Sequence, residues 1–427
     1  MGRTRRKRRH RKVPPFQKQH TQSTAASDAL KLWLLDQNWV PTLDLEPHIF
    51  PETGRGLMAL KDIAVKDVLL ELPKRLLITT LTVSESYISR IFLSDKIYDA
   101  QCVLATFLLY EKHLKEASNW KPYLDSLPVS YSNPEFCSKT EKTILPEFVT
   151  SQLSLLSRKC KVSYLSLMET LTILRSREFV CPHCTLSFDK IITFSDFTWG
   201  YYTVNTRAVY LDGTENIRIN IKGDNLALAP FLDLFNHTCR TVAVAALIKK
   251  KESEFYQIKS LTSYKRGSQV FINYGAHNNL ELYMEYGFVI PQNPLDEIKF
   301  DLSDIKKCIN ISRTVYNFLR VHNLDDNMSF SSQGLNYSAK NVLFICTTSV
   351  QKNQWMQKMF RDNLDSEDLS RVNSLGLKIL QMKKSQLKQD LQKMKRCRYK
   401  SGSFLSAVQL LEEFIQVLES CLKIICE

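Results

Sequence analysis

The feature that most constrains the fold is a β-rich pattern that a long helical stretch interrupts. Short apolar runs separated by turn residues extend from Leu57 to Ile78 and are typical of short strands. Between about 97 and 200 the apolar residues instead recur every three or four positions, which is the period of a helix. Strand patterns resume at Val204–Tyr210 and end near Tyr274. The two strand-rich parts therefore form one β unit that carries a helical insert.

The segments that flank this unit are predicted to be helical. Residues 27–40 have the pattern of an amphipathic helix. After Gly275, Asn278 can cap a helix, with Glu281 at its third position and Gly287 at its end. From about residue 300 the helical period dominates again, and Gly402 separates two final helices that we expect to form an antiparallel pair.

The chain has 427 residues, of which 44% are hydrophobic, and this is enough for two or three domains. We predict a disordered basic tail over 1–26, the first part of the β unit over 27–96, the helical insert over 97–195, the second part of the β unit over 196–292, and a helical domain over 300–427. The predicted class is α+β.

The net charge of +14 is concentrated in the N-terminal tail. Nine Lys or Arg residues and no acidic residue occur in the first twenty positions, which leaves +5 for the rest of the chain. A basic run this dense cannot pack in a core, so we expect it to be disordered and to contact nucleic acid or an import receptor. A solvated tail without a function is the alternative.

Other features argue against the secreted and membrane classes. No apolar run reaches the length that spans a bilayer, and the N-terminal arginines have no apolar segment behind them. The eleven cysteines lack the spacing of a disulfide framework and fit reduced thiols. We expect a protein of the nucleus and cytoplasm that makes no membrane contact.

Three short segments carry residues suited to a chemical site. Gly54-Arg55-Gly56 lacks the third glycine of a dinucleotide fingerprint, but its backbone can approach a ligand closely. Asn236-His237 follows an apolar stretch, so its amide and imidazole need partners in a ligand or in a turn. Tyr274 ends an alternating strand, where its neutral phenol can bind a substrate amine or pack in the core. Each segment alone has an ordinary structural explanation.

Cys181-Pro182-His183-Cys184 has the spacing of a metal site. A structural zinc ion needs about four such ligands, and only Cys160 and Cys137 lie upstream within the insert, at irregular distances. We therefore expect an insert loop with free thiols and assign no metal ligands, and a zinc site at Cys181 and Cys184 is the alternative that the sequence leaves open.

Taken together, these segments resemble the SET-domain lysine methyltransferases. The residues that carry the resemblance to the branch of the plant Rubisco large-subunit methyltransferase are Gly54-Arg55-Gly56-Leu57, Asn236-His237, Tyr274-Gly275 and Tyr286-Gly287-Phe288-Val289. Asn205-Thr206-Arg207-Ala208-Val209 and Trp120-Lys121-Pro122-Tyr123-Leu124 are similar to the SET domain-containing protein 4 group. The resemblance covers roughly residues 30 to 295. It implies a β-rich SET fold with a helical insert and an all-helical C-terminal domain that binds substrate.

The resemblance also implies methyl transfer from S-adenosylmethionine to a protein lysine, without a metal. The implied cofactor-binding positions are Thr53, Gly54, Arg55, Gly56, Arg207, Asn236, His237 and Tyr274. The implied positions around the substrate lysine are Asp233, Tyr256 and Tyr286, and the implied catalytic residues are Tyr274 and Tyr286. Leu211 stands where the plant enzyme has an arginine that contacts substrate, so the resemblance does not give the substrate.

The implied partner is a protein that presents a lysine, with histones among the candidates, and we expect the chain to act as a monomer. The alternative is a non-catalytic SET-fold protein that binds chromatin or nucleic acid. Such a degenerate module is expected to have lost Tyr274 or Asn236-His237, and this chain keeps both.

Overall fold

The computed structural model describes residues 15–93, 96–211, 219–223, 226–348, 355, 364–398 and 400–426. Its α-helices in chain order are α1 Pro15–Asp36, α2 Thr80–Ser84, α3 Ala100–Leu114, α4 Lys121–Ser126, α5 Lys139–Lys142, α6 Glu147–Ser176, α7 Phe188–Ile191, α8 Phe194–Arg207, α9 Asn279–Glu281, α10 Leu302–Cys308, α11 Arg313–Val321, α12 Tyr337–Thr347, α13 Ser366–Lys395 and α14 Gly402–Cys426. No helix among the described residues combines the length and the apolar character needed to cross a membrane.

The strands are short. In chain order they are β1 Leu45–Phe50, β2 Gly54–Ala59, β3 Val68–Pro73, β4 Tyr98–Asp99, β5 Ala208–Tyr210, β6 Ile221–Lys222, β7 Leu226–Leu228, β8 Asn236–His237, β9 Ala243–Lys250, β10 Ser253–Ser260, β11 Gln269–Ile272, β12 Glu297–Lys299, β13 Ser329–Ser331 and β14 Gly334–Leu335.

The described part of the chain forms two compact units, and their boundaries differ from the predicted domains. The first unit comprises the described residues within 1–129 and 158–275, and the second comprises those within 130–157 and 276–427. Residues 130–157 of the predicted insert and 276–292 of the predicted β unit therefore belong to the second unit. The physical reason is packing: the apolar side chains of Leu145 and Val149 are buried in the core that the C-terminal helices form.

The interrupted β unit is confirmed in the first unit. One sheet has the strand order β1-β2-β11-β8, and a second has the order β3-β10-β9. β2, from before the insert, pairs antiparallel with β11, from after it, with Leu57 opposite Val270. β11 pairs on its other edge with β8 in parallel, with Phe271 opposite Asn236.

The insert is helical as predicted, but its last helix is longer. α8 continues to Arg207, so the strand predicted from Val204 is wrong up to that residue and only β5 remains. Val204 is fully buried on the helix, and Gly200 lets α8 approach α3 closely, since an added Cβ would lie 3.2 Å from the Ala105 carbonyl oxygen. The branched and aromatic residues that suggested a strand are thus the packed face of a helix.

The N-terminal helix also begins earlier than predicted. α1 starts at Pro15, so residues 15–26 are helical, whereas 1–14 of the predicted disordered tail lie outside the described residues. Leu30 and Leu34 anchor the helix by complete burial. Once a docked segment is helical, adding residues at its N-terminus costs little because the nucleus already exists.

The second unit confirms the predicted C-terminal helical region. α13 and α14 are antiparallel, since Lys384 of one pairs with Glu419 of the other at 3.1 Å and Lys395 pairs with Glu412 at 2.6 Å. The region is not all-helical, because β12, β13 and β14 form a small antiparallel sheet. Phe330 of β13 is fully buried in the same apolar core as the helices.

Candidate active site

The glycine segment lies at the start of β2, immediately after a turn. Gly54 has φ +71°, a conformation that side chains with a Cβ rarely adopt. At Gly56 an added Cβ would clash with the Gln269 side-chain amide and would lie 2.9 Å from Asn236 Nδ2. The predicted freedom of this backbone therefore has a structural cause: two amide side chains pack directly against it.

Asn236 and His237 connect the glycine segment to the end of β11. Asn236 donates from Nδ2 to the backbone carbonyl of Arg55 at 2.9 Å. His237, which is 4% exposed, accepts at Nδ1 from the backbone N–H of Tyr274 at 3.0 Å. The structure thus brings together segments that lie far apart in the sequence, as the candidate site requires.

Tyr274 follows β11 and is fixed at both its backbone and its side chain. Besides the bond from its N–H to His237, its hydroxyl donates to the Phe235 carbonyl oxygen at 2.5 Å. Its ring lies 5.2 Å from the His237 ring, centre to centre. A phenol that donates to a carbonyl can still accept an N–H at its oxygen, so the implied contact of this hydroxyl with an amine stays chemically possible and is a prediction.

Arg207 and Asp233 form a buried ion pair beside this segment. Arg207 Nη1 lies 3.2 Å from Asp233 Oδ2 and 2.8 Å from the Asp233 carbonyl oxygen, while the Asp233 side chain is 1% exposed. The Tyr123 hydroxyl also donates to Oδ2, at 3.2 Å. The implied contacts of Arg207 with a cofactor and of Asp233 with a lysine stay predictions, since in the structure these groups bind each other.

The side chains of Thr53 and Arg55 bind protein groups. The Thr53 hydroxyl donates to Gln269 Oε1 at 2.8 Å. Arg55 donates from Nη1 to the Ser126 carbonyl oxygen at 2.8 Å and to Ser27 Oγ at 3.3 Å. The side chains of Thr53 and Arg55 thus bind within the protein, and their implied role in binding a cofactor stays a prediction.

Tyr256 lies on β10 and is 4% exposed. Its hydroxyl donates to the Tyr210 carbonyl oxygen at 3.0 Å, and burial raises the pKa of this phenol to about 12. Leu211, which follows Tyr210, is buried at 4% exposure. Tyr256 therefore stays neutral at physiological pH, and its implied contact with a lysine stays a prediction.

Tyr286 belongs to the second unit, and its local structure follows the prediction. Asn278 and Glu281 form a capping box at the start of α9, and Gly287, with φ +84°, ends the π-helical turn Leu282–Tyr286. Burial, with a smaller contribution from the charge of Glu285, raises the pKa of the Tyr286 phenol. The Tyr286 ring lies 5.7 Å from the His277 ring.

Several residues that the sequence analysis did not assign complete the site. The Tyr123 hydroxyl binds Asp233, and the Ser126 carbonyl oxygen binds Arg55. Tyr123 lies within the Trp120–Leu124 motif that carried part of the resemblance, and Ser126 follows that motif by two residues. Gln269 Nε2 and Asp233 Oδ1 are buried polar atoms without a hydrogen-bond partner in the described part of the chain. One is a donor and the other an acceptor, so both suit a ligand that carries groups of both kinds.

Comparison with known proteins shows which family this chain resembles in sequence and in fold. The family model of the SET domain matches residues 54–275. SET domain-containing protein 4 of Artemia parthenogenetica is 30% identical over 400 residues, which cover 91% of this chain and 95% of that protein. The solved SET domain of LSMT bound to lysine and AdoHcy superposes with a TM-score of 0.63 at 21% identity, covering 94% of this chain and 91% of that one.

Other relatives carry names that specify the modified side chain. The chloroplastic fructose-bisphosphate aldolase-lysine N-methyltransferase of Arabidopsis thaliana is 35% identical over 60% of this chain and 50% of its own. The actin-histidine N-methyltransferase of Danio rerio is 27% identical over 59% of this chain and 40% of its own. The resemblance that the sequence motifs indicated is confirmed by the match of the family model to more than half of the residues and by the full-length relative: the chain belongs to the SET domain family.

Proposed function

We propose that this chain transfers methyl groups to a lysine side chain of a protein. As a SET-domain protein it is an S-adenosylmethionine-dependent protein methyltransferase. The proposal adds that the side chain that receives the methyl group is a lysine. The observation that carries the proposal is Tyr274, whose hydroxyl is oriented by the Phe235 carbonyl oxygen at 2.5 Å and whose backbone is held by His237.

The residues present fit the cofactor. The backbone of Gly54, Arg55 and Gly56 is held by Asn236 and lies beside Gln269, whose buried Nε2 has no acceptor among the described residues. S-adenosylmethionine offers acceptors on its adenine and carboxylate and donors on its amines, which match this amide and the buried oxygen of Asp233. When bound, it supplies a methyl group on a positively charged sulfonium.

The residues of the chain must also receive the lysine as a neutral amine. A free lysine has a pKa of about 10.4, so supplying the neutral form at pH 7 costs about 4.6 kcal/mol. Burial keeps the phenol of Tyr256 protonated, so it does not become an anion that would stabilise the ammonium form. Neutral hydroxyls such as that of Tyr274 can instead align the amine, which makes positioning the main contribution of the protein.

The test is transfer of a radiolabelled methyl group from S-adenosylmethionine to histones and to proteins of a cell extract, with mass spectrometry of the modified residue. We expect methyl-lysine, and we expect Tyr274→Phe to lower the rate by roughly a hundredfold, which is the lower range for loss of one positioned group. Tyr337→Phe, a change on the exposed face of α12, is the matched control. Methyl-histidine as the product would contradict the choice of lysine.

The second candidate is a non-catalytic protein that binds chromatin or nucleic acid through its basic N-terminus. The nine positive charges of the first twenty residues favour it. It requires nucleic-acid binding that weakens steeply with salt and disappears when residues 1–20 are removed, together with no binding of S-adenosylmethionine. Calorimetric titration with the cofactor separates the two candidates, since only the enzyme needs it.

For the cellular setting we propose the nucleus and the cytoplasm, with the basic segment as an import or nucleic-acid contact and the chain as a monomer. The support is the charge of that segment, which lies largely outside the described residues. A fluorescent fusion lacking residues 1–20 that stays nuclear would contradict the import role, and light scattering measures the oligomeric state.

A further inference from the structure

The Cys181–Cys184 segment forms the tip of a small hairpin in the first unit. Val180 and Ser187 pair as an antiparallel bridge at its base. The Cys181 N–H donates to the Leu186 carbonyl oxygen at 2.8 Å, and the Thr185 N–H donates to the Cys181 carbonyl oxygen at 2.9 Å. Two cysteines separated by two residues on such a turn have the spacing of a zinc-binding loop.

A histidine from a distant part of the sequence completes a third ligand position. His113 lies in the last turn of α3, and its Nε2 is 3.1 Å from Cys184 Sγ. The ligand atoms of His113, Cys181 and Cys184 all lie within 4.8 Å of one another. Two donors on one tetrahedral zinc lie roughly 3.4 to 3.8 Å apart, because Zn–N and Zn–S bonds are about 2.1 and 2.3 Å long.

The hairpin is held in place by contacts that need no metal. The Tyr87 hydroxyl donates to the Val180 carbonyl oxygen at 2.9 Å. The rings of Tyr87 and Phe179 stack with centres 5.2 Å apart, and those of Phe179 and Phe188 with centres 5.0 Å apart. These contacts fix both ends of the hairpin, so the two thiols and the imidazole are positioned before any ion binds.

We propose that the insert binds one zinc ion through His113, Cys181 and Cys184. Thiolates and an imidazole are soft or borderline ligands that select zinc over magnesium and calcium. His183, at the hairpin tip, or a solvent molecule fills the fourth position. The ion joins the hairpin to the end of α3 and so has a structural role, which revises the expectation of free thiols.

The experiment measures zinc in the full-length chain, purified without a metal-affinity step and without chelators, by inductively coupled plasma mass spectrometry. We expect about one zinc per chain, and we expect background zinc in the double variant Cys181→Ser/Cys184→Ser. Cys426→Ser, a change at another exposed cysteine, is the matched control and keeps the ion. Equal zinc in the double variant and the wild type overturns the proposal.

A second measurement remains valid even where the double variant folds poorly. The folded wild-type chain is stripped with a chelator and titrated with cobalt(II), which gives intense visible bands only in a tetrahedral thiolate site. We expect such bands in the wild type and at least about tenfold weaker binding in His113→Ala. His183→Ala weakens binding if it is the fourth ligand and leaves it unchanged if solvent is. A wild type without these bands overturns the proposal.

Discussion

Each compact unit buries an aspartate, and the two carboxylates are stabilised in different ways. In the first unit Asp233, with its side chain 1% exposed, pairs with Arg207 at 3.2 Å and accepts a hydrogen bond from Tyr123. In the second unit Asp296, 2% exposed, accepts from the backbone N–H of Asn279 at 2.7 Å and from its side-chain amide at 2.6 Å. No cation pairs with Asp296 among the described residues, and its hydrogen bonds come from Asn279.

The difference lies in what balances the cost of removing a charge from water. A buried carboxylate paired with a cation stays charged, and loss of the cation leaves an uncompensated charge. A buried carboxylate that has only neutral donors is stabilised by taking up a proton instead. Burial, together with the negative charge of Glu413, raises the pKa of Asp296 to about 6. We therefore expect the stability of the first unit to fall when the charge partner of Asp233 is removed, and the stability of the second unit to change with pH through Asp296.

The largest effect is expected from removing the cation of the first pair. Arg207→Met leaves Asp233 buried without its charge partner and should lower the free energy of unfolding by about 3 to 5 kcal/mol. Urea denaturation measures it. Arg175→Met, which breaks an ion pair whose arginine is 51% exposed, is the matched control and should cost on the order of 0.5 kcal/mol.

The double variant Arg207→Met/Asp233→Leu tests whether the loss of stability in Arg207→Met comes from the unpaired charge of Asp233. Replacing both charges with apolar residues of similar size should recover much of the lost stability, because neither ion is then desolvated. Equal destabilisation in the single and the double variant would show that packing around Arg207, and not its charge, stabilises this part of the first unit.

A smaller effect is expected at the second partner of Asp233. Tyr123→Phe removes the hydroxyl that donates to Oδ2 at 3.2 Å and keeps the buried ring. Loss of a hydrogen bond to a charged acceptor should cost about 1.5 to 3 kcal/mol in urea denaturation. A cost well below that range would mean that Arg207 alone satisfies the carboxylate.

The sequence predicted most accurately those features that depend on neighbouring residues. The capping box of Asn278 and Glu281 and the terminating Gly287 were predicted residue by residue, because a cap and its partner lie three positions apart. The strands before and after the insert were also predicted, since alternation shows within a few residues. The end of α8 was not, because Val204 fits either a strand or a buried helix face and only its packing decides.

Contacts between distant residues were predicted only where the family resemblance brought them to one site. The motifs placed these segments together, and the structure shows Asn236 donating to the Arg55 carbonyl oxygen and Tyr274 donating from its N–H to His237 Nδ1. Nothing in the sequence pairs Tyr123 with Asp233, which lie 110 positions apart, or His113 with Cys184, which lie 71 apart. Such contacts depend on how helices and strands pack, so they cannot be predicted from the spacing of residues along the chain.

The smallest effect is the pH response of the second unit. The pKa of Asp296 is about 6 in the folded chain and 3.8 in the unfolded one, so the folded state binds the proton more tightly and stability rises as pH falls through 6. Between pH 7 and 5 the gain should be roughly 1 kcal/mol in urea denaturation. Asp296→Asn should remove this change in the free energy of unfolding with pH, whatever its effect on absolute stability. The control Asp125→Asn, at an exposed aspartate, should retain it. An unchanged pH dependence of the free energy of unfolding in Asp296→Asn would mean that folded Asp296 stays charged down to pH 5 and that the two buried carboxylates behave alike.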